Sequence, residues 1–407
     1  MHILFVTDNF PPEGNAPATR TFEHVREWVD KGHKVTVITC VPNFPEGKIF
    51  EGYKNKWLSK EKIEAINVWR VKTYITANEG FIKRTIDFVS FMLTSLFFGL
   101  FVRKVDVVVG TSPQFFTVIS AWALAKFKRV PFVFELRDIW PAALIAIGVM
   151  RRSWIINILE KLELFLYRQA DLIISVTHSF KSELQNRGVS ADKIKVVLNG
   201  VDLERYNPLK EKDESLADKH ELKNKFVIGY IGTHGLAHAL ENVIKAAELI
   251  TKEDNIRILF AGGGADRSRL EKIVRERGLK NIVMIPRQPK EKMPQVWSLC
   301  DISLVHLKDS PVYKTVIPSK IFESMAMGLP ILMAVPIGEA TDIIEEYKAG
   351  INVLPEYPKE LSEKFLALAN DKELVRALSY QSLNAARNFD RKKFASEMLN
   401  HIEEVVS

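Results

Sequence analysis

The chain has 407 residues and a net charge of +7, and it is 47% hydrophobic and 26% charged, a composition typical of globular proteins. Its length exceeds what one hydrophobic core usually serves, so two domains are expected. Its two cysteines, Cys40 and Cys300, offer neither a disulfide framework nor a metal-ligand spacing, and the first residues lack a signal-peptide pattern, which predicts a reducing, cytoplasmic location.

The positive charge lies entirely in the first half of the chain. Residues 1–205 hold 28 basic and 21 acidic side chains, whereas the remainder is balanced. Such an excess suits an anionic membrane surface, a phosphorylated substrate or nucleic acid, with a solvated basic face as the alternative. Nucleic acid is disfavoured, because the basic residues are not interleaved with aromatic ones and form no recognised motif.

The first half alternates short apolar runs with helical patterns. A helix is predicted over residues 19–30, after a breaker-rich loop at 8–17. The predicted strands cover residues 3–7, 34–39, 105–110, 131–135, 172–176 and 194–198. Short apolar runs bounded by turns are typical of a parallel sheet.

Residues 88–102 contain no charge and are flanked by basic pairs at 83–84 and 103–104. As a helix they would span roughly 22 Å, short of the ~30 Å hydrocarbon core, so a transmembrane helix is not expected. A buried core helix is one interpretation. The basic flanks and four phenylalanines also suit peripheral membrane contact through residues 83–104.

The second half repeats the α/β pattern. Strands are predicted at 226–231, 256–261, 282–285 and 302–306, helices at 239–251 and 267–277, and a helical region at 361–407 broken near 389–391. The predicted domains are therefore residues 1–203 and 204–390, each a Rossmann-like doubly wound α/β unit, with helix 391–407 packing back on the first. Ligands of such sheets bind beyond the carboxyl ends of the strands, so we expect a cleft between the domains.

Residues 317–330 are predicted to form a short ligand-binding helix. Pro318 and Ser319 are start signals, and Gly328 followed by proline ends it. Its helical period buries the apolar residues and leaves Lys320 and Glu323 as charges in the first turns. A helix N-terminus attracts phosphate, and a carboxylate can accept ribose hydroxyls. An ordinary amphipathic helix is the alternative.

Five motifs occur in the order in which one enzyme family carries them. They are Asn-Phe-Pro-Pro-x-Gly at 9–14, Gly-His-Lys-Val-Thr-Val at 32–37, Asn-Gly-Val-Asp at 199–202, Ala-Gly-Gly-Gly at 261–264 and Ser-Lys-Ile-Phe-Glu at 319–323. With them the chain resembles the retaining glycosyltransferases of family four, whose α/β fold of two Rossmann-like domains facing across a cleft is called GT-B. Glu-Leu-Arg-Asp-Ile-Trp-Pro at 135–141 makes it most similar to bacterial envelope-polysaccharide transferases of the colanic-acid and O-antigen type, including L-fucosamine transferases.

This resemblance implies transfer of a sugar, such as an N-acetylated amino sugar, from a nucleotide-diphosphate donor to a lipid-linked or saccharide acceptor at the inner face of the cell membrane. UDP is the favoured nucleotide. The first domain would bind the acceptor and the second the nucleotide sugar, which is a co-substrate, so no separate cofactor is expected. A metal-independent mechanism suits the chain, because no Asp-x-Asp motif lies in a suitable loop.

The family match also assigns residues. Glu323 is predicted to bind the donor ribose, with a surface salt bridge to Lys320 as the alternative, and Lys320 to contact the diphosphate. The chain departs from the family where Thr315 replaces a second glutamate and where Thr233 and His238 replace an Arg/Lys diphosphate pair. The other predicted donor contacts are Gly14, Asn15, Gly232, His234, Arg287, His306 and Ser319.

The catalytic assignments lie in the first domain. Arg137-Asp138 stands where the family usually has His-Asp. Asp138 is predicted to lie nearest the reacting centre, with Glu135 and Arg137 beside it. A purely structural Arg137–Asp138 pair is the alternative.

Two other functions fit a fold of this kind. One is another GT-B enzyme, such as a UDP-sugar 2-epimerase or a phosphorylase, against which the 199–202 motif and the membrane-like segment argue. The other is a non-catalytic two-domain ligand-binding protein. The missing signal peptide weighs against a periplasmic protein of that kind.

Overall fold

The computed structural model describes residues 1–44, 46–76, 81–140, 153–208 and 211–407. The chain forms two compact units, Met1–Asn199 with Arg391–Ser407, and Gly200–Asp390. Both units are α/β. Pro141, the last residue of the motif at 135–141, lies outside the described residues.

All ten predicted strands are present, with ends within two residues of the predicted ones, and the described residues form four more that were not predicted, Leu58–Ile63, Ile66–Val71, Ile331–Ala334 and Gly350–Val353. In chain order the strands are β1 His2–Val6, β2 Lys34–Cys40, β3 Leu58–Ile63, β4 Ile66–Val71, β5 Val107–Thr111, β6 Phe132–Leu136, β7 Leu172–Ser175, β8 Ile194–Val196, β9 Phe226–Thr233, β10 Ile256–Gly263, β11 Ile282–Pro286, β12 Ile302–His306, β13 Ile331–Ala334 and β14 Gly350–Val353.

The helices connect these strands and cover the two sheets. They are α1 Ala16–Asp30, α2 Phe81–Gly99, α3 Phe115–Lys128, α4 Trp154–Gln169, α5 His178–Asn186, α6 Glu214–Lys219, α7 Glu241–Leu249, α8 Arg267–Glu276, α9 Met293–Ser298, α10 Lys320–Ala326, α11 Glu339–Glu346, α12 Pro358–Asn370, α13 Lys372–Ala386 and α14 Arg391–Val406.

The sheet of the first unit has, within the described residues, the order β3-β4-β2-β1-β5-β6-β7-β8. All its neighbours pair in parallel except β3, which runs antiparallel to β4. The strand order reverses between β1 and β5, which pair with Ile3 opposite Val107. The apolar side chains of the central strands form a core with α1 and α14, to which Trp28, Met398 and Ile402 contribute.

The β3–β4 hairpin was not predicted. Leu58–Ile63 reads Leu-Ser-Lys-Glu-Lys-Ile, and its side chains are only partly buried. The search for continuous apolar runs missed this edge strand, because an antiparallel edge strand with one solvated face alternates polar and apolar residues.

The last helix, α14, belongs to the first unit. The indole nitrogen Nε1 of Trp28 on α1 donates a hydrogen bond to the carbonyl of Ala395 at 2.7 Å. The predicted break at 389–391 is present, and a second break at Asp371, which was not predicted, separates α12 from α13. The Asp371 carboxylate caps α13 by accepting from the Leu374 amide.

The sheet of the second unit has, over the described chain, the order β11-β10-β9-β12-β13-β14, with every neighbouring pair parallel. Strand order reverses between β9 and β12, and the core lies on the helices α7, α8 and α12. In open parallel sheets, this reversal opens a crevice at the carboxyl ends of the two strands.

Helix α2 is neither a transmembrane span nor a core helix. None of the described helices is long and apolar enough to cross a membrane. Phe91, Ser95 and Gly99 line the side of α2 that packs on α3, where Ser95 Oγ and Ser120 Oγ lie 2.8 Å apart. On the other side, Leu93, Phe97 and Phe101 are more than half exposed.

Candidate active site

The strand reversal of the second unit collects several predicted donor contacts. His234 directly follows β9, and His306 is the last residue of β12. Parallel pairing of β9 with β12 puts the carboxyl ends of both strands on one edge of the sheet. The two histidines, far apart in sequence, therefore belong to one crevice.

Glycines bring backbones close together at this edge. An ideal Cβ on Gly262 would lie 1.8 Å from the carbonyl oxygen of Gly232, so no side chain fits there. A Cβ on Gly232 itself would lie 3.1 Å from the Lys320 amine. Both glycines also have positive φ values, of 149° and 138°. The amine of α10 can thus lie directly against the backbone at the end of β9.

Lys320 is the most unusual side chain of the site. Its Nζ lies 3.5 Å from the centroid of the Tyr230 ring and is buried without a hydrogen-bond partner among the described residues. A cation over an aromatic face is attracted by the ring quadrupole, but that attraction replaces only part of the lost hydration. Burial lowers the pKa of Lys320 to about 7, against the smaller opposing effect of Glu323.

Three imidazoles complete the surroundings of this amine. The rings of His234 and His238 lie 6.0 and 5.8 Å from the Tyr230 ring, measured between centroids. His306 Nδ1 lies 2.8 Å from the carbonyl oxygen of His238. We call Lys320, His234, His238 and His306 the nitrogen cluster.

The histidines of the nitrogen cluster are held neutral. Burial lowers the pKa of His234 to about 4, of His238 to about 3 and of His306 to about 4, with the Lys320 charge acting in the same direction. Each has at least one buried ring nitrogen without a partner in the described part of the chain. Unpaired buried nitrogens are costly in a folded protein, so their collection in one crevice indicates a ligand site.

Arg267 adds a fixed positive charge beside the cluster. Its Nη1 donates to the carbonyls of Gly262 and Ile285, and Nη2 pairs with Glu271 at 2.7 Å. These bonds hold the guanidinium against the backbone at the carboxyl ends of β10 and β11.

The other predicted donor contacts of the second unit are half-buried or exposed. Ser319 is the N-cap residue of α10, and Glu323 lies half-buried in its first turn. Thr233 and Arg287 are exposed at the ends of β9 and β11, and the Arg287 Cβ lies 3.8 Å from where a Gly263 Cβ would be. Thr315, at the position of the family's other glutamate, donates to the Val312 carbonyl.

Helix α10 is shorter than predicted. It begins at Lys320 rather than near residue 317, and Gly328, with φ of 66°, follows its end. Its apolar residues Ile321, Phe322 and Met325 are buried as expected. Lys320, in contrast, points into the protein, because its first-turn position lies against the ends of β9 and β12.

In the first unit, the loop after β1 is held by its own polar side chains. Asn15 caps α1 by accepting from the Ala18 amide at 3.0 Å, and its own amide donates to Asn9 Oδ1. The Glu13 carboxylate accepts from the amides of Asn43 and Phe44. Gly14, between these anchors, is exposed.

The predicted catalytic Glu135 is engaged in a buried ion pair. Its Oε1 lies 2.8 Å from Nε of Arg20, and both side chains are about 1% exposed. Arg20 also donates to the carbonyls of Val197 and Leu198. Burial opposes ionisation, but Arg20 and Arg137 prevail and lower the pKa of Glu135. Glu135 thus positions its neighbours.

Arg137 and Asp138 follow the end of β6. Their backbone amides point at Ser112 Oγ, at 2.8 and 3.3 Å. Burial raises the pKa of Asp138 to about 6, partly offset by Arg137, and lowers the pKa of Arg137 to about 10. Of the three predicted catalytic residues, Asp138 alone has a pKa near neutrality, where a carboxylate can exchange a proton.

Sequence reasoning missed Tyr230, Arg267 and Arg20. Tyr230 could have been found from strand alternation, because it shares a face of β9 with Gly232. No pattern could have shown Arg20 reaching Glu135, since 115 positions separate them.

Chemically, the second unit offers an amine, imidazoles and backbone glycines to an anion, and the first unit offers the Asp138 carboxyl group, whose pKa burial raises to about 6. Such nitrogen donors stabilise charge that develops on phosphate oxygens. The two sets of residues lie in different units.

Comparisons with known proteins agree with this chemistry. The model of glycosyl transferases group 1 matches residues 170–384, and that of glycosyltransferase family 4 matches residues 18–205. WcaI of Escherichia coli (strain K12), named as a colanic acid biosynthesis glycosyl transferase, is 28% identical over 336 residues, which are 81% of this chain and 82% of WcaI. The resemblance to colanic-acid transferases is thereby confirmed.

Two solved structures show the fold. Anabaena HepE, crystallised in complex with UDP, has a TM-score of 0.73 and 16% identity, covering 99% of this chain and 100% of its own. Sucrose-phosphate synthase from Thermosynechococcus elongatus has a TM-score of 0.78 and 14% identity, covering 99% and 98%. The predicted α/β fold of GT-B type is confirmed.

Proposed function

The chain belongs to the group 1 glycosyl transferases, whose model covers more than half of it, and we propose that it transfers a sugar, with retention of anomeric configuration, from a UDP-linked donor. The acceptor is a lipid-linked or saccharide intermediate of cell-envelope polysaccharide synthesis. The observation that carries the proposal is the nitrogen cluster at the strand reversal of the second unit. The name of WcaI supports the polysaccharide, and the UDP complex of HepE supports the nucleotide.

The nitrogen cluster suits a diphosphate. Lys320 Nζ and ring nitrogens of His234 and His238 are buried without partners among the described residues, so those that carry a hydrogen can donate it to a ligand. Phosphate oxygens accept such bonds, and charge-assisted ones are about twice as strong as neutral ones. Lys320 and His238 thereby replace the Arg/Lys pair that the family usually carries.

Other parts of the donor meet neighbouring residues. Glu323, one turn into α10, would accept the ribose hydroxyls, and Gly232 and Thr233 would approach the phosphates through their backbones. Arg287, exposed at the end of β11, would lie against the base. Ser319, at the N-cap of α10, would contact the donor as well.

The first unit would serve the acceptor. Gly14 is exposed between the anchored residues Glu13 and Asn15, so an acceptor sugar or a donor phosphate can approach the backbone there. Asp138 would lie near the acceptor hydroxyl, whose proton passes to a phosphate oxygen of the leaving group, as retention by a single-face reaction requires. The nitrogen cluster supplies cationic stabilisation of that leaving group, so the proposed reaction is metal-independent.

A binding and transfer assay tests this function. A panel of UDP- and GDP-sugars is titrated by calorimetry, and binders are incubated with lipid-linked acceptors from envelope synthesis, with and without EDTA. We expect UDP-sugars alone to bind, and NMR of the product to show the donor's anomeric configuration. Binding of none of them, or an inverted product, would reject the proposal.

We also propose that the first unit binds the surface of an anionic membrane through α2. The apolar face of α2, Leu93, Phe97 and Phe101, is 56%, 56% and 58% exposed, and Phe127 at the end of α3 is 75% exposed. Contacts between Ser95 and Ser120 and between Lys128 and Val102 show that α2 and α3 run in the same direction. Both exposed ends therefore lie together.

Basic side chains surround these apolar ends. Arg103 and Lys104 follow α2, and Lys126 and Arg129 flank Phe127; all four are exposed. Apolar side chains partly sunk among headgroups with basic residues above them are the signature of interfacial binding. Each basic residue near an anionic surface contributes about 1 kcal/mol.

Liposome sedimentation tests the membrane contact. The double variant Phe97→Ser with Phe101→Ser should bind vesicles of phosphatidylcholine and phosphatidylglycerol at least about tenfold more weakly than the wild type. The reason is the loss of two phenylalanine side chains that would insert into the lipid. Leu249→Ser with Tyr380→Ser, which alters equally exposed residues of the second unit, is the matched control and should bind like the wild type. Equal pelleting of all three proteins would reject the contact.

A further inference from the structure

The amine of Lys320 is buried against groups that do not neutralise it. The Tyr230 ring covers one side, the Gly232 backbone another, and no carboxylate of the described residues accepts a hydrogen bond from it. A buried charge without a partner is several kcal/mol less stable than in water, so such a group sheds its charge.

We propose that Lys320 rests as a neutral amine and takes up one proton from solvent when the donor diphosphate enters, so that donor binding and protonation are a single coupled step. This inference rests on the proposed function, since it requires the nitrogen cluster to bind a diphosphate. It concerns no bond of the substrate: one proton moves from water to Nζ, and it leaves again with the product nucleotide.

The charged and titratable groups near Lys320 favour this resting state. Those packed around it from other elements are cationic, neutral or turned to other partners, and Glu323, on its own helix, is the acidic group that acts on it. They are Tyr230 from β9, His234 and His238 from the loop after it, Asp266 and Arg267 at the start of α8, His306 from β12 and Glu356, which acts on His306. Asp266 is paired with Arg269 at 2.6 Å.

The hydrogen bond of His306 adds a second reason. The carbonyl of His238 can only accept, so His306 Nδ1 must carry the hydrogen and its Nε2 a lone pair. Nε2 therefore offers an acceptor, not a donor, in the neutral ring. To an entering phosphate oxygen a neutral Lys320 offers two hydrogens and no charge, whereas a protonated Lys320 offers three hydrogens and a positive charge.

The coupling predicts how donor affinity changes with pH. Because burial brings the pKa of Lys320 to about 7, the protonated fraction of the free protein falls tenfold for each pH unit above that value. If the bound form is protonated, affinity falls by up to about tenfold per unit between pH 7.5 and 9.5. A lysine charged at rest would give a flat profile over this range.

Calorimetry of UDP at pH 8 tests the proton uptake. At this pH the terminal phosphate, whose pKa is about 6, is already ionised, so any proton gained belongs to the protein. Titrations in two buffers of different ionisation enthalpy give the number of protons taken up. We expect about 0.9 per UDP, the neutral fraction of a group with pKa about 7. Uridine, without phosphates, should cause no uptake.

Two variants identify the group. Lys320→Arg carries a charge that proteins do not remove, so it should bind UDP without uptake and with a flat pH profile from 7.5 to 9.5. Lys320→Met should lose both the uptake and about 10- to 100-fold of affinity. Uptake that persists in both variants would overturn the inference.

The outcomes also distinguish a failure of this inference from a failure of the proposed function on which it rests. UDP binding with no uptake by the wild type rejects the coupled proton and leaves a UDP-dependent transferase standing. Failure of UDP to bind at any pH rejects the proposed donor site, and the coupling with it.

Discussion

The two units each bury a group of charged or titratable side chains, and the two groups differ in whether they are paired. In the first unit, Arg20 pairs with Glu135, and Arg391 pairs with Glu23, which we call the ion-pair cluster. In the second unit, Lys320 and three histidines of the nitrogen cluster have buried nitrogens without partners among the described residues. Glu135 and the nitrogen cluster each lie near the carboxyl ends of parallel strands.

This difference indicates that the ion-pair cluster stabilises the fold, whereas the nitrogen cluster is available to bind a ligand. Arg20 also donates to the carbonyls of Val197 and Leu198, and Arg391 to that of Asn199, so these arginines hold the last segment of the first unit before the chain enters the second. Glu135 Oε2 has no partner among the described residues, but each arginine of this cluster has an ion pair and at least one backbone carbonyl. In the nitrogen cluster, several unsatisfied buried nitrogens collect in one crevice, which makes it the better candidate for a ligand site.

Breaking the ion-pair cluster should give the largest effect. Glu135→Leu leaves the buried Arg20 guanidinium without its carboxylate, and loss of one partner of a buried pair costs about 3–5 kcal/mol. Urea unfolding should show this loss. Glu276→Leu, which removes an exposed pair with Lys272, is the control and should change stability by less than about 1 kcal/mol.

The double variant Arg20→Met with Glu135→Leu sharpens that test. Replacing both partners by apolar groups removes the buried charge, so the double variant should be more stable than Glu135→Leu alone. A loss below about 1 kcal/mol in the single variant would mean that the pair does not hold the first unit together.

Removing the amine of the nitrogen cluster should have the opposite sign. Lys320→Met replaces an unpaired buried amine by an apolar side chain, so the folded protein should gain about 1–4 kcal/mol near neutral pH. The unpaired amine destabilises the folded protein until the donor binds. Lys272→Met, at an exposed lysine, should leave stability unchanged.

The pH dependence of that gain follows from the direction of the shift. The folded pKa of Lys320, about 7, lies below its unfolded value of 10.5, so the unfolded state binds more protons between these values. Wild-type stability should therefore rise from pH 7 towards 10, and the advantage of Lys320→Met should shrink over the same range. Thermal midpoints at pH 6.5, 8 and 9.5 measure this, and an advantage that grows with pH contradicts it.

The comparison also shows what the sequence could predict. Apolar runs located most of the parallel strands, because buried strands are nearly continuously hydrophobic, but β4, β13 and β14 were not predicted. The motif around Glu323 and the histidines predicted donor contacts, and the structure brings His234 and His306 to one edge of the second sheet. The orientation of Lys320 was not predictable, because helical period describes one helix, whereas the burial of Lys320 depends on β9 and β12, which pair in the folded sheet.

The polar edge strand β3 and long-range ion pairs could not be predicted from the sequence either. Leu58–Ile63 contains three charged residues in six, so it gave no apolar signal; in the structure Lys60 covers the Trp69 ring on the next strand, 3.9 Å from its centroid. The Arg20–Glu135 pair spans two elements far apart in sequence. A single sequence contains no information that links such positions before the strand order is known.

A substitution of Glu323 tests the donor site beside the nitrogen cluster and changes the electrostatic environment of Lys320 only slightly. If Glu323 accepts ribose hydroxyls, Glu323→Ala should weaken UDP binding by about tenfold, the value of one charge-assisted hydrogen bond. Titration calorimetry at pH 7 measures it. Glu276→Ala is the matched helix-surface control, and equal affinity of both variants would remove Glu323 from the donor site.

A substitution of His24 should give the smallest effect. His24 lies near the arginines of the ion-pair cluster, but its side chain, unlike theirs, is unpaired in the described part of the chain. Its two ring nitrogens have no partner among the described residues, and burial, with Arg20, Arg391 and Arg137 nearby, holds its pKa well below 6.5. The unfolded chain then binds a proton that the folded one refuses, so stability is lost as pH falls through 6.5. His24→Phe should lose about 1 kcal/mol less than the wild type between pH 7 and 5.5. Saturating UDP should leave this difference unchanged, because His24 is enclosed by the ion-pair cluster; a difference that UDP abolishes would place His24 among the groups that respond to the donor.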